Sequence, residues 1–350
     1  MLYLEPRSRF VKAIFRPKLW LSATIFVLAA SSVRADAEFV QIFNDGFNGG
    51  NSCLWSIGPS TCPGPNDFQV ASPEVSINPG QEITYCYYFR TPNEATRGIH
   101  RFVLELGSVV HDAAVFATYN SIQVPTDRQT PGTMSAVDCG FEDTAATGTV
   151  ANWVFGAHHS GDELVIPADD GTGTPLAMEI VADQPMFMRI HFINPTGSAI
   201  ANTVTLTAQG LADAVAYTRT ESYLAYNDSF SIGAGMTGTA TGGCDTPIPA
   251  HFWWLSTETH QFATEAKLKD GASVLVTTSN WQSPAIATFA APAFLDFASL
   301  QVTYTCNYSN TTGGSLTPGN SPTANENCIA IGYFFPATRP FLCFGNGGPE

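Results

Sequence analysis

Histidine and cysteine are the residue types through which this chain could do chemistry. Its seven histidines fall into distinct contexts. Two lie beside a carboxylate, His111 in V-V-H-D-A-A-V-F next to Asp112, and His260 in L-S-T-E-T-H-Q-F two residues after Glu258. His191 stands in R-I-H-F-I-N-P, and His158-His159 form an adjacent pair in G-A-H-H-S-G-D-E. Imidazole with carboxylate is a donor set for divalent metals. On a strand, Glu258 and His260 occupy alternate positions and share one face. The His158-His159 segment reads as an exposed loop, and the isolated His100 and His251 read as surface or packing histidines. No G-x-S-x-G supports a hydrolase, and no Gly-rich loop ends in Lys-Ser or Lys-Thr to cradle phosphate. The eight cysteines are even in number and contain no C-x-x-C pair, which points to up to four disulfides rather than a zinc site.

That redox state requires export, and the N-terminus supplies the means. Arg7, Arg9, Lys12, Arg16 and Lys18 precede an apolar run from Leu19 to Ala30, and Val33-Arg34-Ala35 offers a cleavage site. Residues 1–35 read as a secretory signal peptide, so the protein is expected to be secreted or periplasmic. The run is shorter than the roughly 20 apolar residues of a membrane span, and no later segment is long and apolar enough. Removing the signal takes away six of 15 basic residues and one of 30 acidic ones, leaving a formal charge of −20. Such a surface repels phosphate backbones, so neither nucleic acid nor an anionic membrane is an expected partner.

Short alternating segments fill the rest. Ile83–Phe89, Phe187–Ile193, Thr203–Thr207 and Leu300–Cys306 read as strands. Pro79-Gly80, Pro131-Gly132, Gly242-Gly243 and Gly313-Gly314 read as the turns between them. Helical periodicity is nearly absent. The expected fold is all-β: two tandem antiparallel β-sandwich (jelly-roll) domains stapled by disulfides, over residues 36–210 and 211–350. Residues 310–327 are polar and lie between two cysteines, as a tethered surface loop would. Asn-x-Ser/Thr occurs at Asn227, Asn307 and Asn310, which matters only in a host that glycosylates.

Ordered motifs add a resemblance. C-Y-Y-F-R-T-P-N from Cys86 is followed by V-V-H-D-A-A-V-F, R-I-H-F-I-N-P, L-S-T-E-T-H-Q-F and N-E-N-C-I-A-I-G-Y-F-F-P. From about residue 75 to the end, the chain resembles the copper type II, ascorbate-dependent monooxygenases. This is the family of peptidylglycine α-hydroxylating monooxygenase and dopamine β-monooxygenase. The resemblance implies two antiparallel jelly rolls facing each other across a solvent-filled cleft, each holding one copper.

Mapped onto this chain, the family's His-His pair falls on His111-Asp112 and its third first-site histidine on His191. The H-x-H pair falls on Glu258-Thr259-His260, and the thioether position is Asn327. His111, Asp112 and His191 are thus the implied first metal site, and Glu258, His260 and Asn327 the altered second. The implied disulfides are Cys306–Cys328, Cys244–Cys343 and Cys86–Cys139, with Cys53–Cys62 remaining. Ser256 stands where an arginine, and Ile331 where a tyrosine, would hold a peptide carboxylate.

Half of the expected ligands are therefore replaced. The resemblance implies copper at one site at most, the first, with ascorbate as reductant only if activity survives. The expected protein is a diverged, non-catalytic relative that binds a small molecule or protein in the interdomain cleft. The alternatives are an active hydroxylase using the altered ligands and a purely structural extracellular module.

Overall fold

A computed structural model of the chain describes residues 64–118, 132, 134–135, 152–319, 321, 323–344 and 348–349. The proposed signal segment 1–35 and Cys53, Cys62 and Cys139 lie outside the described residues. Every regular element among those described is a β-strand, so the fold is all-β. No helix among them is long and apolar enough to cross a membrane.

The strands form two sandwiches in chain order. In the first, a six-stranded sheet built around Arg97–Glu105 and Thr205–Gly210 faces a five-stranded sheet. The latter runs Met134–Ser135, Glu82–Arg90, Pro185–Ile193, Val110–Ala117, Asn152–Ala157. In the second, a six-stranded sheet centred on His251–Glu258, Ile329–Phe335 and Glu221–Tyr226 faces a four-stranded one. The four run Thr237–Asp245, Gln301–Ser309, Ala263–Asp270, Ser273–Thr278. No described sheet mixes strands from before and after Thr220. Among the named strands, pairing is antiparallel except for Thr218–Arg219 on Leu176–Ala177 and Tyr223–Tyr226 on Phe341–Phe344, which are parallel.

Each sandwich closes on its own apolar core. Phe102 and Leu104 meet Met188, Ile190 and Phe192 in the first, and Phe252 and Leu255 meet Leu268, Tyr304 and Tyr308 in the second. A third cluster joins them. Tyr88, Phe116 and Phe187 from the five-stranded sheet pack on Leu224, Tyr226, Ile329 and Ile331 from the second sandwich. The two inner sheets are thus covered on both faces, which is why Ile329–Phe335 and Glu221–Tyr226 are buried at every position. Strands covered on both sides read as continuous apolar runs, not alternating ones. The solvent-filled cleft implied by the resemblance is, over this area, a packed apolar seam.

Local details follow from packing. Gly242 and Gly243 lie inside the strand Thr237–Asp245 and not in the expected turn. A Cβ on Gly242 would come 2.2 Å from the Tyr304 ring, so the glycine makes room for an aromatic and does not bend the chain. Asn194 and Asn310 each follow a long strand and do the same work. Each amide donates to the carbonyl four residues on and accepts from the backbone and hydroxyl of the threonine two residues on. Asn310 and Asn227 are buried, so both sequons are consumed by turns of the folded chain.

Cys244–Cys343 and Cys306–Cys328 are disulfides, each joining elements of the second sandwich. Cys86 is also disulfide-bonded; Cys139, its expected partner, lies outside the described residues. Such crosslinks belong to an oxidising compartment.

One hydrogen-bonded group ties the sandwiches together. The Tyr333 hydroxyl accepts from Trp153 Nε1 at 2.9 Å and donates to the Val154 carbonyl at 2.8 Å. Tyr333→Phe deletes both bonds while keeping the ring. It should lower the unfolding free energy by about 1–3 kcal/mol, the cost of leaving such groups unpaired. A denaturant titration showing a loss below about 0.5 kcal/mol, the range of neutral surface changes, would exclude this hydroxyl as a tie.

Candidate metal centre

The site grows out of the register of three strands. Phe187, Arg189 and His191 alternate along Pro185–Ile193 and face the second sandwich, while Met188, Ile190 and Phe192 face the first core. Across the sheet, Phe187 pairs with Tyr88 and Phe116, whereas His191 pairs with Thr84 and Asp112. The inner face is therefore apolar at one end and polar at the other.

Neighbours on a strand point to opposite faces, so His111 and Asp112 should not meet. A β-bulge reverses that. His191 pairs with Asp112 and Phe192 with Val110, leaving His111 as the extra residue. A bulge re-aims a side chain in this way, and His111 Nδ1 comes 3.0 Å from Asp112 Oδ2. His191 Nδ1 lies 3.2 Å from the same oxygen. One donor atom from each of His111, Asp112 and His191 fits within 4.8 Å of the others, close enough for one ion. The expected first-site trio is thus brought together.

Three residues to which the sequence analysis gave no role complete the surroundings. Arg189 lies 3.4 Å from Asp112 Oδ1. The Trp281 indole stacks on His111, with ring centroids 4.8 Å apart. Glu82 Oε1 lies 3.1 Å from His191 Nε2. Burial pushes the Asp112 carboxyl up, but the hydrogen bonds to His111 and His191 and the Arg189 charge outweigh it and hold it well below its ordinary range.

The altered second set is organised differently. The strand ends at Glu258, so the alternation that would put Glu258 and His260 on one face stops there. His260 Nδ1 lies 3.2 Å from the Asn325 carbonyl and must donate to it, which leaves Nε2 to accept from Asn327 Nδ2 at 3.0 Å. Burial lowers the imidazole to about 3, matching this neutral, fully partnered form. His260 and Asn327 are in contact, but each satisfies the other. The donors do not fit the second copper that the resemblance implies, because both ring nitrogens of His260 are already bonded, to the Asn325 carbonyl and the Asn327 amide.

Between these residues lies a cavity of about 210 Å³ whose walls include Asp112, Glu258, Trp153, Trp254, Ile331 and His158. The expectation of an exposed loop holds for His159, whose side chain is 64% exposed, and fails for His158. Asp162 accepts from both backbone N–H groups and folds the turn so that His158 is drawn inward, lining the cavity. His251 is partly exposed and bonded to Asp296, as an isolated surface histidine should be.

No protein-family model matches the sequence, and no curated protein matches it. Among solved structures, similarity is found to PBCV-1 VP54 fitted into a reconstruction of the virophage Sputnik (8% identity, 79% of this chain and 96% of that one, TM-score 0.23). It is also found to the major capsid protein P2 of bacteriophage PM2 (10% identity, 75% and 97%, TM-score 0.26). At these scores neither likeness bears on function.

Glu258 gives the site a pH signature. Burial raises its carboxyl from 4.5 to about 7; Arg189 opposes the rise and Asp112 adds to it. A carboxyl raised on folding contributes stability that is full below pH 4.5 and is lost as pH climbs through 7. Glu258→Gln stays neutral and escapes that loss. Relative to wild type, it should gain on the order of 1–3 kcal/mol between pH 4 and pH 8. Parallel stability profiles for the two proteins would contradict a buried, raised Glu258.

Proposed function

We propose that the protein is an exported binding protein, a diverged relative of the copper type II monooxygenases. It holds one divalent metal ion on His111, Asp112 and His191, and takes a small ligand in the adjoining chamber. The observation that carries this reading is the convergence of the three donor atoms within 4.8 Å, achieved by a bulge whose effect is to turn His111 toward Asp112. Two imidazoles and a carboxylate suit copper(II) or zinc. A bound ion would supply a Lewis acid, and copper would add a one-electron couple.

The chain's own residues supply the rest. Trp281 covers the outer face of His111. Arg189 balances the carboxylates without occupying the donor triangle, and Asp112 belongs both to that triangle and to the cavity wall. Export rests on residues 1–35, and the disulfides of the second sandwich agree with an oxidising destination. The non-catalytic reading is supported by the second set: no thioether is present, and His260 is committed to Asn325 and Asn327. A two-copper hydroxylase cycle lacks its second centre.

The test is metal content after loading the mature, oxidised protein with copper(II) or zinc and removing excess by gel filtration. One ion per chain is expected, lost in His111→Ala and His191→Ala and retained in His260→Ala. Binding of copper(II) should also quench Trp281, because the indole stacks on a ligand. Two ions per chain, one of them lost in His260→Ala, would replace this reading with the active hydroxylase. No ion in the wild type would remove the metal from the proposal.

A further inference from the structure

Four carboxylates line the chamber beside the metal centre, and three of them have partners. Asp112 is engaged by His111, His191 and Arg189. Asp162 accepts the backbone N–H groups of His158 and His159, and Glu163 pairs with Arg101. Glu258 stands apart: no described residue hydrogen-bonds or ion-pairs with its carboxyl. Burial penalises its charge, and an opposite charge in the chamber would relieve that penalty.

The rest of the wall shows what kind of partner fits. Trp153 comes from the first sandwich and Trp254 from the second, and Phe155 and Ile331 line the same space. Trp153 Nε1 is already engaged by the Tyr333 hydroxyl, so the part of this side chain left for the chamber is apolar. Trp254 packs edge-on against the Tyr333 ring, with centroids 5.3 Å apart. The hydroxyls next to Glu258 are taken as well. Ser256 Oγ donates to the Ala285 carbonyl, and Thr257 Oγ1 shares a hydrogen bond with Thr278 Oγ1. One free carboxylate thus shares a chamber with two indoles, and its strand neighbours offer no free hydroxyl.

We infer that the chamber takes a small organic cation of the quaternary ammonium type, its charge at Glu258 and its methyl groups against Trp153 and Trp254. The inference rests on the chamber-ligand half of the reading above and needs no metal. An anionic ligand would meet like charge at Glu258 and Asp112, and the Arg189 guanidinium is already bonded to Asp112. A primary ammonium carries three N–H donors and would find a single free carboxylate. A quaternary ammonium has no donor to satisfy. It needs opposite charge and aromatic rings, which is how such ions are recognised in aromatic cages. Size agrees with this class. The chamber's volume of about 210 Å³ exceeds the roughly 150 Å³ that accommodates benzene. The excess of 30 acidic over 15 basic residues in the chain also favours the approach of a cation.

The test is titration calorimetry of the full mature protein with three probes. These are choline, its uncharged analogue with a tert-butyl group in place of trimethylammonium, and ethanolamine. Choline should bind about tenfold more tightly than either of the others. Glu258→Gln keeps the shape and removes the charge. It should weaken choline by about 10–100-fold and leave the uncharged analogue unchanged. This variant is expected to be the more stable protein above pH 7, so a loss of binding is not a loss of folding. Trp254→Leu should weaken choline by about 3–30-fold.

Choline affinity that ignores Glu258→Gln, the mark of adsorption to surface acids, would overturn the inference. Equal binding of the uncharged analogue overturns it too, and leaves the chamber as an apolar ligand site. Ethanolamine binding more tightly than choline rejects the quaternary class in favour of a hydrogen-bonded primary amine. If none of the three binds, the inference and the chamber-ligand reading fail together, whereas the metal reading stands or falls on its own test.

Discussion

The Asp112 carboxylate is the interaction on which the space between the sandwiches depends. Both inner sheets are covered on both faces, so any polar side chain in the seam must find its partners there. Asp112 gathers three of them, His111, His191 and Arg189. His191 in turn engages Glu82, and Glu82 engages the loop of the opposite sandwich. Without that carboxylate, His111, His191 and Arg189 would each lose a partner in the seam. The apolar end of the seam supplies adhesion, and the polar end supplies register.

The β-class was legible because strand alternation has a local cause, whereas the two described disulfide pairings came from the resemblance alone. Ile83–Phe89 and Phe187–Ile193 lie within observed strands, and the Cys306–Cys328 loop is a loop. The trio His111, Asp112 and His191 was legible only through the resemblance. Strand alternation alone puts His111 and Asp112 on opposite faces, and nothing in V-V-H-D-A-A-V-F announces the bulge that overrides it. His158 was misread for a related reason: its turn looks solvent-facing in sequence, but Asp162 curls it back over the cavity.

Glu82, Arg189 and Trp281 were not legible at all, because their meaning is set by long-range pairing. Glu82 becomes part of the site only when its strand sits antiparallel to Pro185–Ile193, and when residues 321 and 323 arrive from the far end of the chain. Gly242 shows the same limit in reverse. Its glycine-glycine step imitates a turn, yet it exists to admit the Tyr304 ring from a neighbouring strand.

The residues of the second set satisfy one another without an ion. A histidine beside an amide in a dry interior must satisfy both ring nitrogens, and His260 does so as a neutral ring between Asn325 and Asn327. That arrangement demands no ion to be stable. Asn327 thereby braces the ring whose other nitrogen holds the Asn325 carbonyl. The first set is arranged differently: two imidazoles converge on one oxygen of Asp112, and that convergence is what a shared ion would also require.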